Sequence, residues 1–111
     1  MNEARLTPAI EASALLALAN AHGGFGAVLQ KGDADRGSLM LLLLERGRPI
    51  SLLQRVLGRD GCYAWESRQA ADSESLEQHV ARARSRDPDL WVLELDVPST
   101  ERFIAEMIAT A

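Results

Sequence analysis

A chain of 111 residues is one domain by length, long enough to bury a core without disulfides and too short for two independent cores. With 47% apolar and 25% charged residues, its composition is that of a globular protein and excludes the low-hydrophobicity, high-charge class of disordered chains. A net charge of −4 excludes a global field that would draw the molecule onto nucleic acid or an anionic membrane, so any such binding must be local.

The expected unit is therefore a single domain over residues 1–111. Cys62 is the only cysteine, so no intramolecular disulfide can form, and a reducing cytoplasm is the compartment that suits the chain. Met1-Asn2-Glu3-Ala4-Arg5 lacks the basic start and apolar run of a secretory signal. The apolar run Leu39–Leu44 is far below the ~20 residues that span a bilayer. No export or membrane segment is expected. Almost all positive charge is arginine, with Lys31 the only lysine, and alanine is abundant; this reads as a composition bias of the whole chain.

In chain order, Thr7-Pro8 reads as an N-cap followed by proline at the first helical position, where its missing N–H costs nothing. The helix is expected to run to about His22, with Ile10, Ala14, Leu18 and Ala21 as its apolar stripe and Gly23-Gly24 as its stop. From Phe25 the period changes to two: Phe25, Ala27 and Leu29 share one face of a strand and Gly26, Val28 and Gln30 the other, before a hairpin loop at Gly32–Gly37. Leu39–Leu44 is apolar on both faces, as expected of a central strand covered on both sides or of one at a dimer contact.

Arg46-Gly47-Arg48-Pro49 turns the chain into a third strand, about Ile50 to Val56, and Gly58–Gly61 turns it into Cys62-Tyr63-Ala64-Trp65. Four consecutive strands with short connections predict an antiparallel meander. Glu66–Ser73 is expected to be a loop. Ser75 and Gln78 then fit a capping box, with Asp72 and Ser73 as alternative caps, for a helix reaching about Arg86. Its inner line is Leu76, Val80 and Ala83; His79, Arg82 and Arg86 lie on a solvated side. Pro88 forbids continuation, a strand follows from Leu90 to Val97, and Pro98-Ser99-Thr100 caps a final helix with Phe103, Ile104, Met107 and Ile108 inward.

The expected fold class is α+β: an antiparallel four-stranded meander plus a fifth strand and three helices, in the order α-β-β-β-β-α-β-α, with the helices on one face of an open sheet. The link from the fourth strand through the second helix to the fifth would place a parallel or internal strand in the sheet.

These motifs also carry a resemblance. Gly23-Gly24-Phe25-Gly26 opening the first strand, Lys31-Gly32-Asp33, Glu45-Arg46-Gly47 ending the Leu-rich strand, and Trp65-Glu66 are four of its elements. The most specific is Arg86-Asp87-Pro88-Asp89-Leu90-Trp91-Val92, followed by Glu94-Leu95-Asp96. Over nearly its whole length the chain resembles the small bacterial proteins grouped as domain-of-unknown-function family fourteen-ninety-one. The resemblance implies a compact bacterial domain and brings no established activity, cofactor or catalytic residue.

Reactive groups are few. His22, His79 and Cys62 are not spaced as zinc ligands, and Cys62 reads as a small buried residue of a strand. Asp33-Ala34-Asp35 begins like a calcium loop, but Leu44 stands where a bidentate acid should close the site. Gly23–Gly26 follows a helix and precedes a strand, the reverse of a phosphate-binding order. No metal, cofactor or catalytic residue is expected, and the chain is read as no enzyme. A paired-acid site can be drawn from Asp87, Asp89, Glu94 and Asp96, but turn-shaping and strand-end roles explain these acids as well.

The leading expectation is a non-catalytic module acting by protein association, as a homodimer or with another protein. Arg82, Arg84, Arg86, Asp87 and Asp89 are its candidate surface. The alternative is nucleic-acid binding by the basic face Arg82–Arg86, for which stacking aromatics are scarce. A small enzyme built on the acids around Asp87 and Glu94 is a third reading.

Overall fold

Two segments of this chain cannot tolerate solvent on either side. Leu39–Glu45 is apolar at six successive positions, and Trp91–Asp96 carries only Glu94 and Asp96 as polar residues. In the computed structural model, which describes residues 7–68 and 74–109, these two strands lie side by side in the middle of the sheet. The elements follow in the order α1 (Pro8–Ala21), β1 (Phe25–Gln30), β2 (Leu39–Glu45), β3 (Arg48–Leu57), β4 (Tyr63–Ser67), α2 (Leu76–Arg86), β5 (Trp91–Asp96) and α3 (Thr100–Ala109). This is the expected α+β succession.

The sheet order is β1-β5-β2-β3-β4, and here the meander needs correction. β2, β3 and β4 are consecutive antiparallel neighbours, but β1 does not pair with β2. β5 enters between them, parallel to β2 from Leu39↔Trp91 to Leu44↔Asp96 and antiparallel to β1 from Phe25↔Asp96 to Gln30↔Val92. The physical reason is burial: strands apolar on both faces take the central positions, and the glycine- and alanine-containing β1 is left at an edge. Gly32–Gly37 is accordingly no hairpin loop; it carries the chain past the start of β5.

Helices cover both faces of the sheet rather than one. Odd-numbered residues of β2 and β5, with Leu53, pack with Ala12, Leu15 and Ala19 of α1 and Phe103 and Met107 of α3. Even-numbered Met40, Leu42, Leu44 and Val92, with Leu52 and Leu90, pack with Val80 of α2, flanked by Leu76 and Ala83. The two-sided apolar strands are thus satisfied within one chain.

Most helix boundaries follow local chemistry. Thr7 Oγ1 accepts the Ile10 N–H at 3.4 Å, and α1 ends in a Schellman arrangement in which Gly24 N–H reaches Ala19 O at 2.9 Å around Gly23, φ +84°. α2 has the full capping box, Gln78 N–H to Ser75 Oγ at 3.1 Å and Ser75 N–H to Gln78 Oε1 at 2.8 Å. Asp72 and Ser73, the alternative caps, lie outside the described residues. β4 extends through Ser67, so Glu66 and Ser67 are strand rather than loop.

The α1 stripe differs from the expected one. Pro8, Ala12, Leu15 and Ala19 face the core, while Ile10 is 53% exposed and Ala14 and Ala21 are also exposed. α1 is apolar around its whole circumference, so its periodicity names no inner face. In α3, Phe103 and Met107 are buried and Ile104 is partly so, but Ile108 is exposed.

At the far end of β2, Glu45 Oε2 accepts both the backbone N–H of Thr100 at 2.8 Å and its hydroxyl at 2.9 Å, tying α3 to the sheet. These bonds, the backbone one first, hold the Glu45 carboxyl below the usual range. Stability from a depressed carboxyl is present above its unfolded pKa and lost as pH falls through the folded value. Glu45→Gln is therefore expected to lower stability at neutral pH and to flatten the acid limb of a urea-midpoint profile. Leu93, fully buried between Val28 and Leu41, is a second test: Leu93→Ala should cost about 2–5 kcal/mol in equilibrium denaturation.

Candidate functional site

Asp87-Pro88-Asp89 lies where α2 meets β5, and its acids are engaged in shaping the turn. Asp87 leaves helical geometry at φ −133°, its Oδ1 accepts the Asp89 N–H at 3.0 Å, and its carbonyl accepts the Leu90 N–H at 3.2 Å. The opposing loop closes on this turn. Asp33 N–H reaches Asp89 O at 3.0 Å, Trp91 Nε1 donates to Asp33 O at 2.7 Å, and Gln30 Nε2 donates to the carbonyls of Asp87 at 2.9 Å and Leu90 at 2.7 Å. Asp33 Oδ1 accepts the N–H groups of Arg36 at 2.8 Å and Asp35 at 2.9 Å, which hold its carboxyl below the ordinary range. The Asp-Pro-Asp-Leu-Trp segment is thus a clasp between two loops.

Of the remaining acids of the supposed pair, Asp96 follows the same pattern. Asp96 takes the N–H groups of Arg46 at 3.0 Å and Gly47 at 2.8 Å, holding a two-residue turn in which both residues have positive φ, 53° and 80°. Glu94 stands on the same face, opposite Ala27 on one side and Leu42 on the other. Asp87 and Asp89 are exposed at the turn.

The basic face of α2 is not a uniform platform. Arg82 Nη2 pairs with Glu74 Oε1 at 2.7 Å, while Arg84 and Arg86 are exposed beside Asp87 and Asp89. His79 corrects the expectation of a solvated side: its side chain is only 14% exposed, and Nδ1 is buried 3.6 Å from Glu74 Oε1 without a hydrogen bond. Cys62 is likewise corrected, being exposed in the turn before β4. The His22 ring meets Phe103 edge-on at 5.6 Å.

Sequence reasoning missed two features. One is a bidentate pair of Glu11 on α1 and Arg55 on β3, Nη1 to Oε1 2.6 Å, with the guanidinium stacked 4.7 Å from the Trp65 ring centre. It borders a cleft of about 50 Å³, lined also by Arg36 and Tyr63, that is the size of a water site. The other is the open edge at β1. This strand, Phe-Gly-Ala-Val-Leu-Gln, contains no charged residue and no proline, and Phe25 is 65% and Val28 43% exposed. The absence of charge from Phe25 to Gln30 was the available signal, but it acquires meaning only when the strand is known to be an edge.

Among the described residues, no group of three or more His, Cys, Asp or Glu side chains is placed to hold a metal ion, and no helix is long and apolar enough to cross a membrane. The clasp makes a direct prediction: a Cβ on Gly32 would stand 2.1 Å from Asp89 O. Gly32→Ala should separate the loops at a cost of about 1–3 kcal/mol, read by urea denaturation and a red-shifted Trp91 emission.

Comparison with known proteins agrees with this geometry. A crystal structure of a DUF1491 family protein from Caulobacter crescentus is similar at 28% identity, covering 89% of this chain and 94% of that one with a TM-score of 0.77. An NMR structure of a DUF1491 family protein from the same organism gives 28% identity, coverage of 91% and 94%, and a TM-score of 0.77. A solution structure of a protein from A. tumefaciens matches at 26% identity, 90% and 92% coverage, and a TM-score of 0.72. No curated protein matches the chain. The family model described as protein of unknown function (DUF1491) spans residues 6–105, so the resemblance carried by the Asp-Pro-Asp-Leu-Trp segment holds across the fold and the chain belongs to the DUF1491 family.

Proposed function

We propose that this protein is a non-catalytic association module of the cytoplasm, and that its partner adds to the sheet along the open side of β1. The carrying observation is the edge itself: six uncharged residues, ending the sheet, with Phe25 and Val28 exposed on opposite faces. Sheet edges that must stay monomeric are blunted by charge, proline, a bulge or a covering segment. β1 has no charge or proline, and its one register shift lies at its end, between Val28 and Gln30, so that Phe25–Val28 is a regular run. Strand addition supplies backbone hydrogen bonds along such an edge and side-chain pockets at alternate positions.

The use made of the carboxylates supports the non-catalytic reading: Asp33, Asp87 and Asp96 each accept backbone N–H groups of turns, and Glu45 accepts the first helical N–H of α3. The sheet faces, by contrast, are covered by the chain's own helices, so association through a bare face loses its motive. The surface Arg82, Arg84, Arg86, Asp87 and Asp89 mixes both signs and offers no apolar anchor, which places it and nucleic-acid binding behind the β1 edge.

A photoreactive residue at Ala27, on β1, is expected to yield covalent protein adducts in the native host, whereas the same probe at Ser67 on the opposite edge strand yields few. Equal yields at the two positions, or none at Ala27, would remove the proposal.

A further inference from the structure

The outer flank of α1 and the open edge of β1 together point to one occupant, and we infer that it is a second copy of this chain. The two copies pair β1 to β1 antiparallel about a two-fold axis perpendicular to the sheet, with α1 against its counterpart. This rests on the reading of β1 as an association edge and names the partner of that edge.

A two-fold axis perpendicular to the sheet keeps each face on its own side, and directly opposed residues of an antiparallel pair point to the same face. Phe25, Ala27 and Leu29 share the α2 side, and Gly26 and Val28, opposite Leu95 and Leu93, share the α1 side. Only residues on a common face can therefore oppose one another, so one residue of β1 must lie on the axis. With Ala27 there, Gly26 faces Val28 of the second copy within the regular run, and Phe25 comes opposite Leu29 at the register shift. Both exposed apolar side chains then gain a neighbour across the junction. No charged residue of β1 is brought opposite another, since the strand has none.

The layer above fits the same operation. Along α1, Glu11 turns toward Arg55 of β3 and His22 toward Phe103 of α3. The opposite flank, Ser13, Leu16 and Asn20, faces the β1 edge, with Leu16 resting on Gly26. Glu11 is the only charged residue of the helix, so this flank is uncharged, and Ser13 and Asn20 are exposed. α1 lies over both β1 and β5. With strands about 4.8 Å apart, a helix above the middle of that pair stands about 5 Å from the axis, and two such helices stand about 10 Å apart. That is the upper end of ordinary helix packing, about 8–10 Å, and small side chains permit it. A foreign strand would satisfy the edge of β1 alone and leave the α1 flank bare; a second copy covers both.

The experiment is sedimentation equilibrium of the whole chain from low to high micromolar concentration, with circular dichroism to verify folding of each variant. The wild-type chain should dimerise and Val28→Lys should be monomeric. Ser13→Glu leaves the strand edge intact but sets two carboxylates together across the axis; it should weaken the dimer about tenfold or more. Mixing Ser13→Glu with Ser13→Lys should restore a heterodimer. A wild-type monomer over the whole range overturns self-pairing, and if the Ala27 probe then still captures a different protein, association through β1 stands while the second copy does not. A dimer sensitive to Val28→Lys but indifferent to Ser13→Glu overturns the paired α1 layer.

Discussion

The rest of the structure depends on the parallel contact of β2 with β5. Each of these strands is apolar on both faces, and such strands lose least when they lie next to each other beneath helices on both sides. Their adjacency forces β1 to the edge and routes residues 31–38 around the start of β5. It also brings the ends of β2 and β5 together, with Leu44 opposite Asp96. Glu45 and Asp96 consequently stand at one end of the sheet, where one ties down α3 and the other the β2–β3 turn.

Among the described residues, five acids of this protein serve as ligands for its own backbone. A carboxylate accepting N–H groups satisfies donors that a tight turn or a helix start leaves without partners, and the charge strengthens the bond. Asp33, Asp87, Asp60 and Asp96 do this at turns, and Glu45 does so at the first residue of α3. The closeness of Asp87, Asp89, Glu94 and Asp96 in sequence suggested paired-acid chemistry, but the first two shape a clasp and Asp96 holds a turn nearly fifty residues upstream in the chain.

Charge is unevenly distributed across the sheet. At the β4 side, Glu66 and Arg68 pair at 3.5 Å, and α2, which packs over β2 and β3, carries Glu77, Arg82, Arg84 and Arg86. At the β1 side, both the strand and the helix above it present uncharged residues to the surface. A chain with 12 basic and 16 acidic residues has enough charge to blunt both edges and leaves one without it. That asymmetry distinguishes the two ends of the sheet.

The sequence by itself determined whatever depends on neighbours a few residues away. The element order, the Thr7 cap, the Ser75–Gln78 capping box, the break at Pro88 and the family membership carried by Asp87–Trp91 were all legible, because the groups that decide them are covalently close, as was a turn after Glu45, although it takes only Arg46-Gly47 and β3 begins at Arg48 rather than about Ile50. Only the tertiary structure decided the strand order, because that is settled by which strands compete best for two-sided burial and not by which are consecutive. The inward face of α1 was undecidable from a helix apolar all round, and the Asp33–Asp89 and Glu11–Arg55 contacts join residues far apart in the chain. The candidate site belongs to that second class: Phe25–Gln30 reads as an ordinary strand in sequence, and becomes an open edge only because β5 takes the place beside β2.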